Sequence, residues 1–188
     1  MNSFKKTSLY LLLLLVLVYT NTDAQTATRP ANWAQKIEAI NLHNLHKVDD
    51  NVYRAEQPNE QAMKELSKLG IKTILNLRYF KKDKQVPEAN LTLVHYKIRP
   101  GSISYTDIVT ALKEINKAPK PVLVHCKYGA DRTGCIIAAY NIVKHNYSKE
   151  QAIDELKNGG YNYHAKAYPN IINLLNSLDI EKLKKDVE

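Results

Sequence analysis

PVLVHCKYGADRTG, residues 121–134, decides how the chain is read. Val122, Leu123 and Val124 form a short apolar run of the kind found in a buried parallel strand. A polar loop containing Gly129 follows, and Cys135-Ile136-Ile137-Ala138-Ala139-Tyr140 then has the character of the first turns of a buried helix. Strand, tight loop and helix N-terminus together build an anion cradle. Successive backbone N–H groups point into such a loop, and the helix dipole adds positive potential.

Cys126 and Arg132 sit inside this cradle, six positions apart. Cysteine reacts as its thiolate, which a helix N-terminus and a nearby cation favour. Arginine offers a planar fork that binds two phosphate oxygens and disperses charge in a transition state. The combination points to attack of sulfur on phosphorus. Cys-x5-Arg alone is a weak signal, but the preceding apolar strand, His125, Gly129, Thr133 and Gly134 sharpen it.

With those residues in place, HCKYGADRTG resembles the signature loop of the cysteine-dependent protein tyrosine phosphatases, closest to their dual-specificity branch. Val52-Tyr53-Arg54-Ala55-Glu56-Gln57-Pro58 is similar to the YR-x-x-QP segment of the bacterial dual-specificity-like enzymes. The resemblance implies that Cys126 is the nucleophile and forms a phosphocysteine, and that Arg132 binds phosphate. It implies that the Thr133 hydroxyl assists the thiolate and the breakdown of the intermediate. Lys127, Tyr128, Gly129 and Ala130 complete the phosphate loop, and His125 orients it and supports the thiolate. No metal and no cofactor are implied.

Departure of a poor leaving group calls for a general acid. The family usually takes it from an Asp in the loop after the third strand, but Arg99-Pro100-Gly101-Ser102-Ile103-Ser104-Tyr105-Thr106 holds none, and Asp107 arrives late. Ser104 or Thr106 could cap a helix there, making Asp107 a first-turn residue favoured by the dipole. Asp131, beside Arg132, is the other candidate and the one preferred here. Some lipid-phosphatase branches carry an Asp just before the Arg, although such a residue could equally hold the loop through backbone N–H groups.

Lys5 and Lys6 precede an apolar run from Leu9 to Tyr19 and then Thr22-Asp23-Ala24, the pattern of a signal peptide cleaved after Ala24. The run falls short of the roughly 20 residues that span a bilayer. Export to a periplasm or the exterior follows, with no stable membrane span after cleavage; the alternative is an uncleaved N-terminal anchor. The net charge of +8 suits anionic partners. No basic stripe interleaved with aromatics is present, so nucleic acid is not an expected partner. Cys135 reads as a small buried core residue rather than a resolving thiol.

The rest of the chain reads as strands alternating with helices. A lead-in with a loose helix is expected over residues 25–47, in which His43 and His46 are better read as solvated histidines than as metal ligands. The phosphatase domain spans 48–182. In it Asn59 caps a helix from Glu60, Ile71 to Leu77 and Leu91 to Ile98 are buried strands, and Ser148-x-x-Gln151 is a capping box. Arg54 and Arg78 are either substrate contacts or strand-end arginines paired locally. Lys81, Lys82 and Lys84 fall in a loop that reads as a solvated run, and His95 as a packed strand histidine. Tyr161, Tyr163 and Tyr168 either wall the cleft or pack beneath a connection. A last helix is expected from Asn170 to Leu183, followed by a charged tail over 183–188.

The pattern predicts an α/β fold with a central, mostly parallel sheet flanked by helices, of the protein tyrosine phosphatase (dual-specificity) type, with the site at strand C-terminal ends. Three functions fit. One is hydrolysis of phosphotyrosine, extending to phosphoserine and phosphothreonine, in a phosphorylated protein or another phosphomonoester. The second is the same chemistry on phosphoinositides or inositol phosphates, suggested by Lys127 and Asp131. The third is an inactive phosphate-binding module, disfavoured because a binder has no use for a thiolate.

Overall fold

The computed structural model describes residues 29–188. The expected signal peptide, and its cleavage site after Ala24, lie outside these residues. Six strands form one sheet: β1 (Gln35–Lys36), β2 (His46–Lys47), β3 (Val52–Ala55), β4 (Thr73–Arg78), β5 (Thr92–Ile98) and β6 (Val122–His125). Their order is β1-β2-β3-β6-β4-β5. β1, β2 and β3 are antiparallel neighbours, whereas β6 lies between β3 and β4 and pairs parallel with both, and β4 pairs parallel with β5. The signature strand β6 is therefore buried between neighbours and ends where the sheet delivers its loop.

Alternation along the strands divides the core in two. Val52, Leu75, Leu77, Val122 and Val124 face one cluster, and Tyr53, Ala55, Ile74 and Leu123 face the other. The second face is covered by α1 (Glu60–Lys68) and by Ile40, Leu42 and Leu45 of the N-terminal segment. The first is covered by α2 (Tyr105–Lys117), α3 (Asp131–Lys144), α4 (Lys149–Asn158), α5 (Pro169–Ser177) and α6 (Ile180–Val187). α3 contributes Cys135 to Ile142 as an almost continuous buried run, which makes it the central helix of that layer. The helix starts follow from local chemistry. Asn59 accepts the Ala62 N–H, and Ser104/Asp107 and Ser148/Gln151 form reciprocal capping boxes on α2 and α4.

Two expectations fail. No helix forms across Trp33–Leu45. Its loose apolar spacing belongs to turns around the short strands β1 and β2, with Asn44 in the left-handed region at φ 57°. Ile40, Leu42 and Leu45 are buried by tertiary packing rather than by one helical face. The C-terminal residues are not a tail. The last helix breaks at Leu178, Asp179 caps a new one, and Leu183 and Val187 enter the core.

Candidate active site

The 126–132 loop leaves the C-terminal end of β6 and enters α3 at Asp131. Gly129 has φ +68°, and a Cβ there would lie 2.5 Å from the carbonyl carbon and oxygen of Ala55. Both the left-handed backbone and the close approach of β3 demand glycine. Cys126 lies at the base of the cradle, 1% exposed, while Lys127 and Tyr128 are exposed at its rim. The Lys127 ammonium sits 4.6 Å from the Tyr128 ring centroid. Ala130 is buried at the start of the helix.

Arg132 is half-buried and its Nη1 donates to the Ile98 carbonyl at 3.4 Å. Arg132 Nε and Thr133 Oγ1 are buried and, among the described residues, have no hydrogen-bond partner. Buried polar groups are normally paired, so these two atoms stand out in the first turn of α3, where the dipole also favours an anion. Cys135 lies fully buried on α3, and burial pushes its thiol well above the ordinary range. The core reading of Cys135 therefore fits its surroundings.

Both candidate acids carry local hydrogen bonds. Asp107 accepts from the backbone N–H and hydroxyl of Ser104, each at 2.8 Å, and from the Tyr96 hydroxyl at 2.9 Å. It caps α2. Asp131 is buried at the first turn of α3, and both its oxygens lie 3.0 Å from His164 Nδ1. Its Oδ1 also accepts the His164 backbone N–H at 3.0 Å. His164 was not singled out in the sequence, since an isolated histidine in the segment before α5 carries no motif.

Other sequence candidates separate clearly. Arg54 is buried behind the loop and donates to the Gly129 carbonyl at 2.7 Å, so it supports the cradle from beneath. Arg78 instead reaches the mouth. Together with Tyr79, Phe80, Arg99, Pro100 and Arg132 it lines a cavity of about 360 Å³, and Phe80 is 88% exposed there. Arg99 stacks on Tyr79 with its guanidinium carbon 4.1 Å from the ring centroid. Nothing in the sequence of one strand-end arginine announces that Arg99 shares this cavity with Arg78 and Arg132. Tyr161 packs in the interior beneath Arg54. His95 Nε2 lies 2.6 Å from the Arg78 carbonyl, a packed strand histidine. His46 is buried, not solvated, and no cluster of potential metal ligands occurs among the described residues.

His125, immediately before the nucleophile candidate, is fully buried. Its Nδ1 lies 3.1 Å from the Cys126 carbonyl and its Nε2 2.8 Å from Asp83 Oδ2. Asp83 escaped the sequence reading because it is embedded among Lys81, Lys82 and Lys84, a run that reads as solvated surface.

Comparison with known proteins agrees with this fold. The family model for the dual specificity phosphatase catalytic domain matches residues 52–173, from β3 into α5. The dual specificity protein phosphatase TpbA of Pseudomonas aeruginosa is 30% identical over 139 residues, 72% of this chain and 62% of that protein. The chain thus spans somewhat less than two thirds of that relative's length. The crystal structure of P. aeruginosa TpbA superposes with a TM-score of 0.75 and 26% identity, covering 85% of this chain and 99% of the other. The inositol diphosphatase DSP3 of Arabidopsis thaliana is 26% identical over 76% of this chain and 73% of its own. On the domain match and the shared fold, the chain belongs to the dual specificity phosphatase family.

Proposed function

We propose that the protein hydrolyses phosphotyrosine, and with it phosphoserine and phosphothreonine, through a phosphocysteine intermediate. The observation that carries this reading is the unpartnered pair Arg132 Nε and Thr133 Oγ1 in the first turn of α3, where the loop that opens at Cys126 ends. Cys126 Sγ attacks phosphorus, and the phosphoryl oxygens are held by the loop N–H groups and the Arg132 fork. The S–P bond forms as the ester P–O bond breaks, and Asp131 delivers a proton to the departing oxygen. Water then attacks the phosphocysteine, giving a proton back to the ionised Asp131 as its oxygen bonds to phosphorus and the S–P bond breaks. This restores the thiolate and releases inorganic phosphate, with the Thr133 hydroxyl assisting sulfur as it leaves. The name of the Pseudomonas relative, a dual specificity protein phosphatase, supports the substrate class.

A second reading has its own support. Arg78 and Arg99 converge with Arg132 on one cavity, a geometry suited to a substrate with more than one phosphate. An inositol phosphate is such a substrate, and the Arabidopsis relative is named an inositol diphosphatase.

Phosphate release in EDTA by wild type and Cys126→Ser, on phosphotyrosine and phosphothreonine peptides and on an inositol phosphate, tests both. Activity that resists EDTA and is lost in the variant is expected, with a preference for phosphotyrosine. Preference for the inositol phosphate moves the assignment to the second reading, and phosphate binding without turnover of any ester moves it to a binding module. Export after cleavage behind Ala24 is part of the same proposal, supported by the charged and apolar N-terminal pattern. Among the described residues no helix is long and apolar enough to cross a membrane. A mature mass beginning at Gln25 is expected, and an intact N-terminus overturns soluble export.

A further inference from the structure

We infer that Asp83 is a positioning residue of the nucleophile loop, acting through His125; the inference rests on the phosphatase reading of Cys126. Asp83 belongs to the exposed basic segment after β4, yet its own side chain is only 3% exposed and the facing His125 side chain is 0% exposed. A carboxylate withdrawn from water within a solvated lysine run has lost its hydration and must recover it in specific bonds. Each of its oxygens has one. Oδ2 lies 2.8 Å from His125 Nε2, and Oδ1 accepts from Gln57 Nε2 at 2.7 Å.

Those two bonds reach both sides of the cradle. On the histidine side, both ring nitrogens face groups that only accept, Nδ1 the Cys126 carbonyl and Nε2 the Asp83 carboxylate, so each donates an N–H. With Nε2 held by Asp83 and Nδ1 by the nucleophile's own peptide, the ring has no freedom to turn. The Cys126 carbonyl is fixed with it, which directs the backbone that carries Sγ. On the glutamine side, Gln57 N–H donates to the Lys127 carbonyl at 3.3 Å, and Gln57 Oε1 accepts from Arg78 Nη1 at the mouth. Asp83 therefore bridges three segments that meet nowhere in sequence: the nucleophile loop, the turn after β3 and the cavity-lining Arg78. In register with His125 on the neighbouring strands are the uncharged Ala55 and Asn76, so Asp83 is its one direct carboxylate contact among the described residues. Asn76 also ties the segment down, its Nδ2 donating to the Lys81 carbonyl at 2.9 Å.

Asparagine at position 83 keeps the shape but accepts at one oxygen only, so it satisfies His125 or Gln57 and not both. A mispositioned nucleophile slows chemistry more than it weakens phosphate binding, because the Arg132 fork and the α3 dipole remain. In the full chain, Asp83→Asn is expected to lower kcat on p-nitrophenyl phosphate by about 10- to 100-fold with KM within about threefold. Asp83→Glu, which keeps the carboxylate, retains more kcat than Asp83→Asn. His125→Gln gives a loss of similar size, and the double variant is no worse than the poorer single, since both remove one linkage. Wild-type kcat in Asp83→Asn, or losses that multiply in the double variant, overturns the inference while leaving the phosphatase reading intact. If wild type hydrolyses no ester, that reading falls, and alkylation of Cys126 by iodoacetate decides the inference on its own. Slower alkylation in Asp83→Asn then supports it, and equal rates overturn it.

Discussion

Arg54 lies across the face of Tyr161, its guanidinium carbon 3.4 Å from the ring centroid, while its Nη2 donates to the Gly129 carbonyl. Tyr161 in turn donates to Glu155 at 2.7 Å, and Glu155 accepts from Asn141 of α3 and from the Ala34 backbone. The phosphate loop is thus propped from behind by a buried charged network spanning β3, α3, α4 and the N-terminal segment. Burial pulls the Arg54 pKa below the usual arginine value, with the nearby Tyr161 and Glu155 opposing that shift.

Replacing Arg54 by Met leaves the buried Gly129 carbonyl without its donor and removes a cation near Glu155. A loss of about 1–3 kcal/mol in unfolding free energy is expected, as for leaving a buried acceptor without its donor. Urea titration measures it. In whatever fraction remains folded, KM for a phosphomonoester rises because the turn at Gly129 is no longer held.

Asp131 and Asp107 make opposite predictions. An acid that protonates the departing oxygen matters more for a poor leaving group than for a good one. Asp131→Asn is expected to slow hydrolysis of phenyl phosphate by roughly 10²-fold or more, and that of p-nitrophenyl phosphate much less. Asp107→Asn is expected to weaken the α2 cap by about 1 kcal/mol without leaving-group dependence. The reverse pattern in kcat transfers the acid role to Asp107.

His46 links stability to pH. Burial lowers its pKa from 6.5 to about 4, with positive Arg54, Arg29 and Lys36 adding to the effect. A folded-state pKa below the unfolded one means that the unfolded chain takes up the proton first. The folded state is therefore fully favoured above pH 6.5, loses stability as pH falls towards about 4 and loses no more from this group below that. The cost is roughly 3 kcal/mol across the window. Thermal unfolding of wild type and His46→Phe at pH 7 and pH 5 is expected to show a smaller decline in the variant.

Leu183 is fully buried where a charged tail was expected. Leu183→Ala should cost about 3 kcal/mol through lost burial and the cavity left against α2 and α3. Lys184→Ala, one residue on, should be nearly silent. Chemical denaturation of both variants checks the contrast.

Much of this molecule is written locally. The apolar run at Val122–Val124, the glycine-bearing loop and the long buried helix that follows determined the cradle and its parallel sheet, because strand period, turn chemistry and helix burial are properties of neighbouring residues. That Cys126 follows the strand and that Arg132 and Thr133 lie at the start of the next helix was legible for the same reason, as were the caps at Asn59 and Ser148. Other features belong to tertiary structure alone. Whether Arg54 faces substrate or interior depends on what packs over β3, and its place beneath the loop comes from Tyr161, more than a hundred residues away. The apolar spacing of Trp33–Leu45 suits a helix, yet docking against α1 buries those side chains from an irregular backbone. Residues 183–188 carry enough charge to read as a tail, and only the groove beside α2 and α3 gives Leu183 and Val187 somewhere to go. Asp83 is the sharpest instance. Sequence places it among lysines, and the fold turns its carboxylate away from water onto His125, because charge pairing in the interior depends on distance in space rather than along the chain.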